Sequence, residues 1–288
     1  MRVLVTGSSG RIGGAIAARL SLRHAVTGVD RRPGPLTGVV ADLRDTATLA
    51  AHCAGVDAVI HTAALHVPDL ARADAAEFRS VNVDATVRLL QACGEAGVRR
   101  FVYTSTTSLY GDALLPTAGA AVWVTEALEP RPRDVYDETK LAAEAACAAA
   151  ARGGLACVSL RMSRCFPEPE RQVAIYRLHR GVDARDVAQA HELALAAPAN
   201  GFTALNVSAP TPFTAADCPR LFADAAACVR LAYPWADAEF ARRGWELPDS
   251  IDRVYVVDRA IATLGYRPEH DFASLFRRAA PAGNGQGS

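Results

Sequence analysis

The sequence predicts an α/β protein: a doubly wound parallel sheet with a small C-terminal lobe. Three observations point to it. From residue 3 to about residue 161, short apolar runs ending in small or turn residues alternate with longer stretches of helical periodicity, the pattern of repeated strand–helix units. The first run breaks into a glycine-rich turn that opens a helix, a context suited to binding a dinucleotide. The 288 residues, half of them apolar, suffice for one large core with a smaller appendage.

Composition excludes several classes of function. Lys+Arg and Asp+Glu balance at 31 each, leaving no basic footprint for nucleic acid and no acidic tail. The seven cysteines form no C-x-x-C pair and do not cluster with histidine, so no zinc or iron–sulfur site is expected. Their odd number argues against a disulfide framework. The start runs straight into a strand pattern without a charged region and an apolar stretch after it, so no signal peptide is expected. No apolar run approaches the roughly 18 residues of a membrane span. The expected setting is the reducing cytoplasm. The expected partner is a small molecule, with neither membrane nor nucleic acid involved.

Taken in order, Val3-Leu4-Val5 is the first strand. Gly7, Gly10 and Gly13 follow at the spacing of a dinucleotide fingerprint. Gly7 permits the tight turn, Gly10 lets the backbone approach a pyrophosphate, and Gly13 lets the helix pack on the strand. The amides around Arg11 and Ile12, at the helix N-terminus, then face the phosphates. The second strand, Ala25–Val29, ends at Asp30. An acid about 20 residues past the glycines accepts hydrogen bonds from a ribose diol and repels a 2′-phosphate, which favours NAD. Arg31 and Arg32 beside it leave NADP open, since arginine there can hold that phosphate. A short third strand runs into Asp42 and Leu43, a helix covers Thr46–Cys53, and a buried strand Ala58–His61 ends in Thr62, Ala63 and Ala64. Small residues there let a cofactor lie against the backbone. His61 reads as a core histidine with its hydrogen bonds satisfied.

A helix is expected from about Ala75 to Ala96, carrying Asn82, and then a strand from Arg100 to Thr104. The strand runs into a hydroxyl cluster, Ser105, Thr106, Thr107 and Ser108, before Tyr110 and Gly111. The C-terminal end of a strand is where open α/β sheets bind ligands. A proline- and glycine-bearing loop precedes a long alanine-rich helix, Tyr136 to Ala151, which opens with Tyr136-x-x-x-Lys140. That spacing puts phenol and ammonium on one helix face, where the ammonium favours the phenolate and lowers its pKa. An isolated copy of so short a pattern is commonplace, so its meaning depends on what lies upstream. Ala156–Arg161 is the next strand and Phe202–Val207 a returning one, while Trp235, Trp245 and Tyr255 fall in the C-terminal lobe.

Together these residues resemble the extended short-chain dehydrogenase/reductase family, the NAD-dependent epimerases, dehydratases and dehydrogenases with a Rossmann-type sheet. The resemblance rests on Thr6-Gly7-x-x-Gly10-x-x-Gly13, Asp30, Asp42-Leu43, His61-x-Ala63-Ala64, Asn82 with Thr86, Thr104 to Gly111, Tyr136-x-x-x-Lys140, Leu160-Arg161 with Pro167, Val182-Asp183-x-x-Asp186-Val187-Ala188 and Leu264-Gly265-Tyr266-x-Pro268. It implies that Tyr136 is the general acid/base and that Lys140 lowers its pKa and holds the nicotinamide ribose. It also implies that Thr106, with Ser105 as the alternative, polarises the same substrate oxygen. Asp42 and Leu43 would meet the adenine. Thr62, Ala63, Ala64 and Thr104 would line the cofactor, and Asn82 would brace the active-site helix at the cofactor site. The implied state is a homodimer paired through the helices near residues 85–94 and 141–151.

The chain departs from nucleotide-sugar epimerases after Arg161. Arg164 stands where they usually carry an asparagine for the nucleotide diphosphate, and Val182-Asp183 follows within about twenty residues, without the usual insertion. In this it is similar to compact members acting on free sugars or sugar acids, such as uronate dehydrogenases. The expected division is therefore 1–165, with 182–208 returning to it, as the NAD-binding domain. Segments 166–181 and 209–280 form the substrate lobe, and the tail 281–288 is disordered. Arg164, Arg171 and Arg177 are candidate partners for a substrate carboxylate, since a guanidinium offers a bidentate fork. His66 and Thr107 are further candidate substrate contacts. The expected function is an NAD-dependent oxidoreductase acting on a hydroxyl or carbonyl of a sugar-like molecule. The alternatives are a UDP-glucose-type 4-epimerase and a non-catalytic cofactor sensor.

Overall fold

A computed structural model describes residues 1–197 and 201–277. The expected tail disorder at 281–288 lies outside the described residues. In chain order the main elements are β1 (Arg2–Thr6), α1 (Arg11–Leu20), β2 (Ala25–Asp30), β3 (Val39–Val40), α2 (Thr46–Cys53), β4 (Ala58–His61), α3 (Ala75–Arg79), α4 (Ala85–Glu95), β5 (Arg100–Thr106), β6 (Val122–Val124), α5 (Val135–Arg152) and β7 (Ala156–Met162). They continue with α6 (Glu170–His179), α7 (Ala184–Ala196), β8 (Phe202–Val207), α8 (Cys218–Ala223), α9 (Ala225–Ala232), α10 (Ala236–Arg242), β9 (Arg253–Tyr255) and α11 (Asp258–Leu264).

The main sheet has seven strands in the order β3-β2-β1-β4-β5-β7-β8, and every pairing in it is parallel. Chain progression reverses between β1 and β4, which opens a crevice beyond their C-terminal ends, the usual ligand position in such a sheet. The strands are apolar on both faces because helices cover both. One layer packs Ile16, Ala17 and Leu20 of α1 with Val187, Ala190 and Ala194 of α7 against Val3, Val5 and Ile60. The other packs Leu49, Leu89, Cys93, Ala143 and Cys147 of α2, α4 and α5 against Leu4, Val59 and Phe101. All seven cysteines are free and buried, acting as small apolar side chains.

Three local differences from expectation have physical causes. The strand expected to end at Thr104 extends to Thr106, because β7 pairs with it over the full register from Arg100↔Ala156 to Thr106↔Met162. The helix expected across 75–96 is interrupted by a π-helical turn, Ser80–Asp84, which carries Asn82; such turns often mark functional positions. Val122–Val124 lies within the span 1–165 yet pairs in parallel with Arg253–Tyr255, forming a second, two-stranded sheet. That sheet leans on a separate apolar cluster built by Ile175, Leu178, Leu221, Val229, Phe240, Val254 and Phe272. Trp123 and Trp245 pack on this cluster, and Trp235 stacks on Phe272 with ring centroids 5.6 Å apart.

Candidate active site

A cleft of about 760 Å³ runs from the glycine turn across the C-terminal ends of β1, β4 and β5 to the small lobe. Its cofactor half is built from backbone. Gly7 has φ +75°, and a Cβ on it would come within 2.5 Å of Thr62 Oγ1. A Cβ on Gly13 would meet the Gly7 carbonyl oxygen at 2.1 Å, so the turn and α1 approach more closely than any side chain permits. Gly10 is less confined: a Cβ there would meet the Gly7 carbonyl oxygen at 3.2 Å, a tight contact that a small shift relieves. No side chain caps α1, so the first N–H groups, at Arg11, Ile12 and Gly13, open toward the cleft, as an anion requires.

Asp30 ends β2 with its carboxylate fixed by two backbone donors, Ser9 N–H at 3.0 Å and Arg32 N–H at 2.9 Å. Among the described residues it has no ion-pair partner, so its charge and remaining lone pairs face the cleft. Asp42 is instead held by a bidentate Arg44 guanidinium, which keeps its carboxyl below the usual range. Arg31, Leu43, Thr62, Ala63, Ala64 and Thr104 all line the cleft. A glycine turn that rejects Cβ atoms, open helix amides and an unpaired carboxylate one strand away together fit a dinucleotide.

His61 is a core residue, with ring nitrogens 2.7 Å from the Thr6 hydroxyl and 2.8 Å from that of Thr86. Burial pushes its pKa down to about 3, so the ring is neutral. Asn82 does not line the cleft, which corrects its placement as a cofactor contact. Its amide is spent inside the protein: Oδ1 accepts from Leu65 N–H at 2.7 Å, and Nδ2 donates to Leu65 O and to Thr139 Oγ1. Thr139 in turn donates to the Tyr136 carbonyl at 3.0 Å. Asn82 thus ties the segment after β4 to the first turn of α5.

That first turn is set by Asp134, the N-cap, whose carboxylate accepts from Asp137 N–H at 2.9 Å. Tyr136 and Lys140 therefore project from the buried face of α5 into the cleft. The Thr106 hydroxyl accepts Ser108 N–H at 3.1 Å and acts on the Tyr136 phenol to hold its pKa down. Ser105, the alternative hydroxyl, is buried with its Oγ unpartnered. Asp137, next to Tyr136, is buried beneath Ser108 and Arg133, a contact that no local spacing signals.

The expectation that Lys140 lowers the Tyr136 pKa needs correction. Burial dominates and pushes the phenol up; the Thr106 hydrogen bond is what opposes it. Lys140 donates to the Thr104 carbonyl at 2.6 Å and lies 4.3 Å above the Tyr103 ring. Burial brings its pKa down to about 8. Lys140 is also the sole lysine of the chain, all other basic side chains apart from histidine being arginine.

On the substrate side, His66, Thr107 and Arg164 line the cleft. His66 contacts Asp69 at 3.1 Å and meets Phe166 edge-on. Arg164 pairs with Glu168 and lies over Phe166 and Tyr176. Arg171 and Arg177 are spent on structure: Arg171 donates to the Glu246 carbonyl, and Arg177 donates to His270 O and to Asp183. Sequence reasoning missed Arg133, Arg180, Arg253 and Tyr255, which line the same wall. They come from segments far apart in sequence, and no local spacing joins them.

The family model of the NAD dependent epimerase/dehydratase family matches residues 3–174. The chain belongs to that family, within the extended short-chain dehydrogenase/reductases, whose cofactor is NAD. A 3-beta-hydroxysteroid dehydrogenase of Mycolicibacterium neoaurum is 37% identical over 162 residues, half of this chain and 41% of that protein. The chain thus spans less than half the length of the curated relatives it matches first. Among solved structures, an NAD-bound short-chain dehydrogenase/reductase superfamily protein from Agrobacterium tumefaciens superposes with TM-score 0.71 and 26% identity, covering 96% of this chain and 94% of its own. MoeE5 in complex with UDP-glucuronic acid and NAD gives TM-score 0.69 and 25% identity, covering 96% and 97%. No helix among the described residues is long and apolar enough to cross a membrane.

Proposed function

We propose that the protein is an NAD-dependent dehydrogenase acting on a hydroxyl or carbonyl of a sugar-like small molecule, with net redox change in the substrate. The observation that carries this reading is the connection from β7 to α7. It holds only the ten-residue α6, which leaves no insertion to build a nucleotide pocket. The wall it forms sets Ser163, Arg164 and Arg180 beside Cys165, Phe166 and Pro167, with the two guanidiniums available to a hydroxylated substrate.

NAD supplies the hydride acceptor. Tyr136 carries the transferable proton at its phenol oxygen: the phenol, the form that burial favours, donates to a carbonyl in the reductive direction, and in the oxidative direction the phenolate takes the hydroxyl proton. Thr106 favours the charged form of that phenol oxygen and so eases loss of its proton. Lys140, one turn on from Tyr136 along α5, is the cation available for the ribose. Asp30 is the acceptor for the adenosine ribose diol and disfavours a 2′-phosphate. His66, Thr107 and Arg164 remain candidate substrate contacts. Segments 166–181 and 209–280 act as the substrate lobe, with Val122–Val124 joined to it.

The test is incubation of purified protein and excess NAD with a panel of sugars and sugar acids, followed by the absorbance of the reduced nicotinamide. Sustained reduction with one of them is the expected result; none with any would overturn the reading. The second reading, a nucleotide-sugar 4-epimerase, is supported by the likeness to MoeE5. It predicts tightly retained NAD and interconversion of UDP-glucose and UDP-galactose without accumulated NADH. A cofactor sensor would keep its cellular function in a Tyr136→Phe variant. We also infer a cytoplasmic homodimer paired through α4 and α5, where Gly94, Ala145 and Ala149 are exposed and small enough for close helix approach. Light scattering at twice the chain mass is the expected result.

A further inference from the structure

Three arginines on the lobe wall face the substrate end of the cleft, and their partners do not balance. Arg164 is neutralised by Glu168. Arg180 and Arg253 share one carboxylate, that of Asp252. Arg253 takes it closely, with Nε 3.0 Å from Oδ2 and Nη2 on the same oxygen. Arg180 Nη1 reaches that oxygen only at 3.9 Å. Its Nε is buried without a hydrogen-bond partner, and its guanidinium carbon lies 4.3 Å from the Tyr176 ring centroid. His179, packed beside them, accounts for none of the charge. Its Nδ1 is 2.8 Å from the Arg253 carbonyl, and burial pushes its pKa down to about 3. Two guanidiniums, with side chains only 28% and 15% exposed, are therefore left with one acid.

Removing a cation from water without pairing it is costly, and each guanidinium offers five N–H donors. A pair of arginines short of one anion on a cleft wall is the arrangement that binds one from solution. We propose that Arg180 and Arg253 form a subsite for an anionic group of the substrate, a carboxylate or a phosphate monoester, while the reacting hydroxyl faces Tyr136. This rests on reading the cleft as the substrate site of a hydride-transfer enzyme. It moves the anion contact from Arg164, Arg171 and Arg177 to two residues on either side of Asp252.

The experiment is calorimetric titration of the NADH-saturated protein with a panel of aldoses, their uronates and their 6-phosphates. It is run on the parent, Tyr136→Phe, Arg180→Gln and the charge-keeping Arg180→Lys. NADH affinity and the thermal midpoint serve as checks on folding. In the parent and in Tyr136→Phe, at least one anionic series binds tenfold or more tighter than its neutral aldoses. Arg180→Gln brings the two within twofold, and Arg180→Lys restores part of the difference. Whether uronates or phosphates bind tighter names the group. Equal binding of anionic and neutral sugars, or an undiminished preference in Arg180→Gln, overturns the subsite. A preference without turnover in the parent keeps the subsite and overturns the dehydrogenase reading.

Discussion

The two halves of the cleft are made differently. The cofactor half is backbone: Gly7 and Gly13 leave no room for a Cβ, and Asp30 is fixed by two main-chain donors. The substrate half is a mosaic of long side chains from the segment after β5, the connection around α6, and β9. A backbone site is encoded by short local spacing and tolerates almost no substitution. A side-chain site is set by tertiary contacts and can be retuned without disturbing the fold. The cofactor half is therefore written in local spacing, and the substrate half in the charges that the tertiary fold brings together.

Tyr136 and Lys140, the pair proposed to carry the chemistry, line the cleft between the halves, and loss of the tyrosine should have the largest effect. Tyr136→Phe should lower turnover roughly 100- to 10,000-fold while NAD affinity stays within about twofold, read by steady-state kinetics and NADH fluorescence. Comparable losses in both would mean that the tyrosine supports the site structurally. Next, Gly13→Ala should destabilise the protein by about 3 kcal/mol in urea unfolding, since its Cβ meets backbone that cannot yield. Gly10→Ala should leave stability within about 1 kcal/mol yet weaken NAD binding at least tenfold, because what it obstructs is the ligand. Equal effects on folding from both would erase the distinction drawn between those glycines.

These two glycines also show what local sequence carries. Spacing alone reveals the turn, Asp30 and the Tyr136–Lys140 pair, because each depends on neighbours within one or two elements. It does not reveal that β5 reaches Thr106, since β7 sets that length, nor that Val122–Val124 joins Arg253–Tyr255. Arg171 and Arg177 look as available as Arg180 in sequence; only the carbonyls of Glu246 and His270 tell them apart. In a chain that otherwise uses arginine, a single lysine marks a place where an ammonium that can titrate is needed.

Smaller effects follow from that lysine. Lysine labelled at Cε should give one resonance, titrating near pH 8 in the protein without cofactor; a midpoint near the ordinary 10.5 would mean that the side chain is solvated. A lysine pKa lowered by folding makes the protein more stable above the unfolded value, and that stability is lost as pH falls through about 8. Lys140→Met should therefore raise stability by roughly 1–2 kcal/mol at pH 7, with the gain shrinking toward pH 10, while turnover collapses. The smallest effect is expected from Arg164→Gln, since its charge is already matched by Glu168: KM should change by less than about threefold. A change as large as that of Arg180→Gln would place the anion on the wrong arginine.

Net oxidation or reduction of a small hydroxylated substrate is read from the yield of NADH per protein chain. With excess NAD and a saturating sugar acid, NADH should accumulate to many equivalents per chain, matched by oxidised sugar and abolished in Tyr136→Phe. NADH that stops at one equivalent or less, with a UDP-sugar epimerised at unchanged oxidation state, would contradict it.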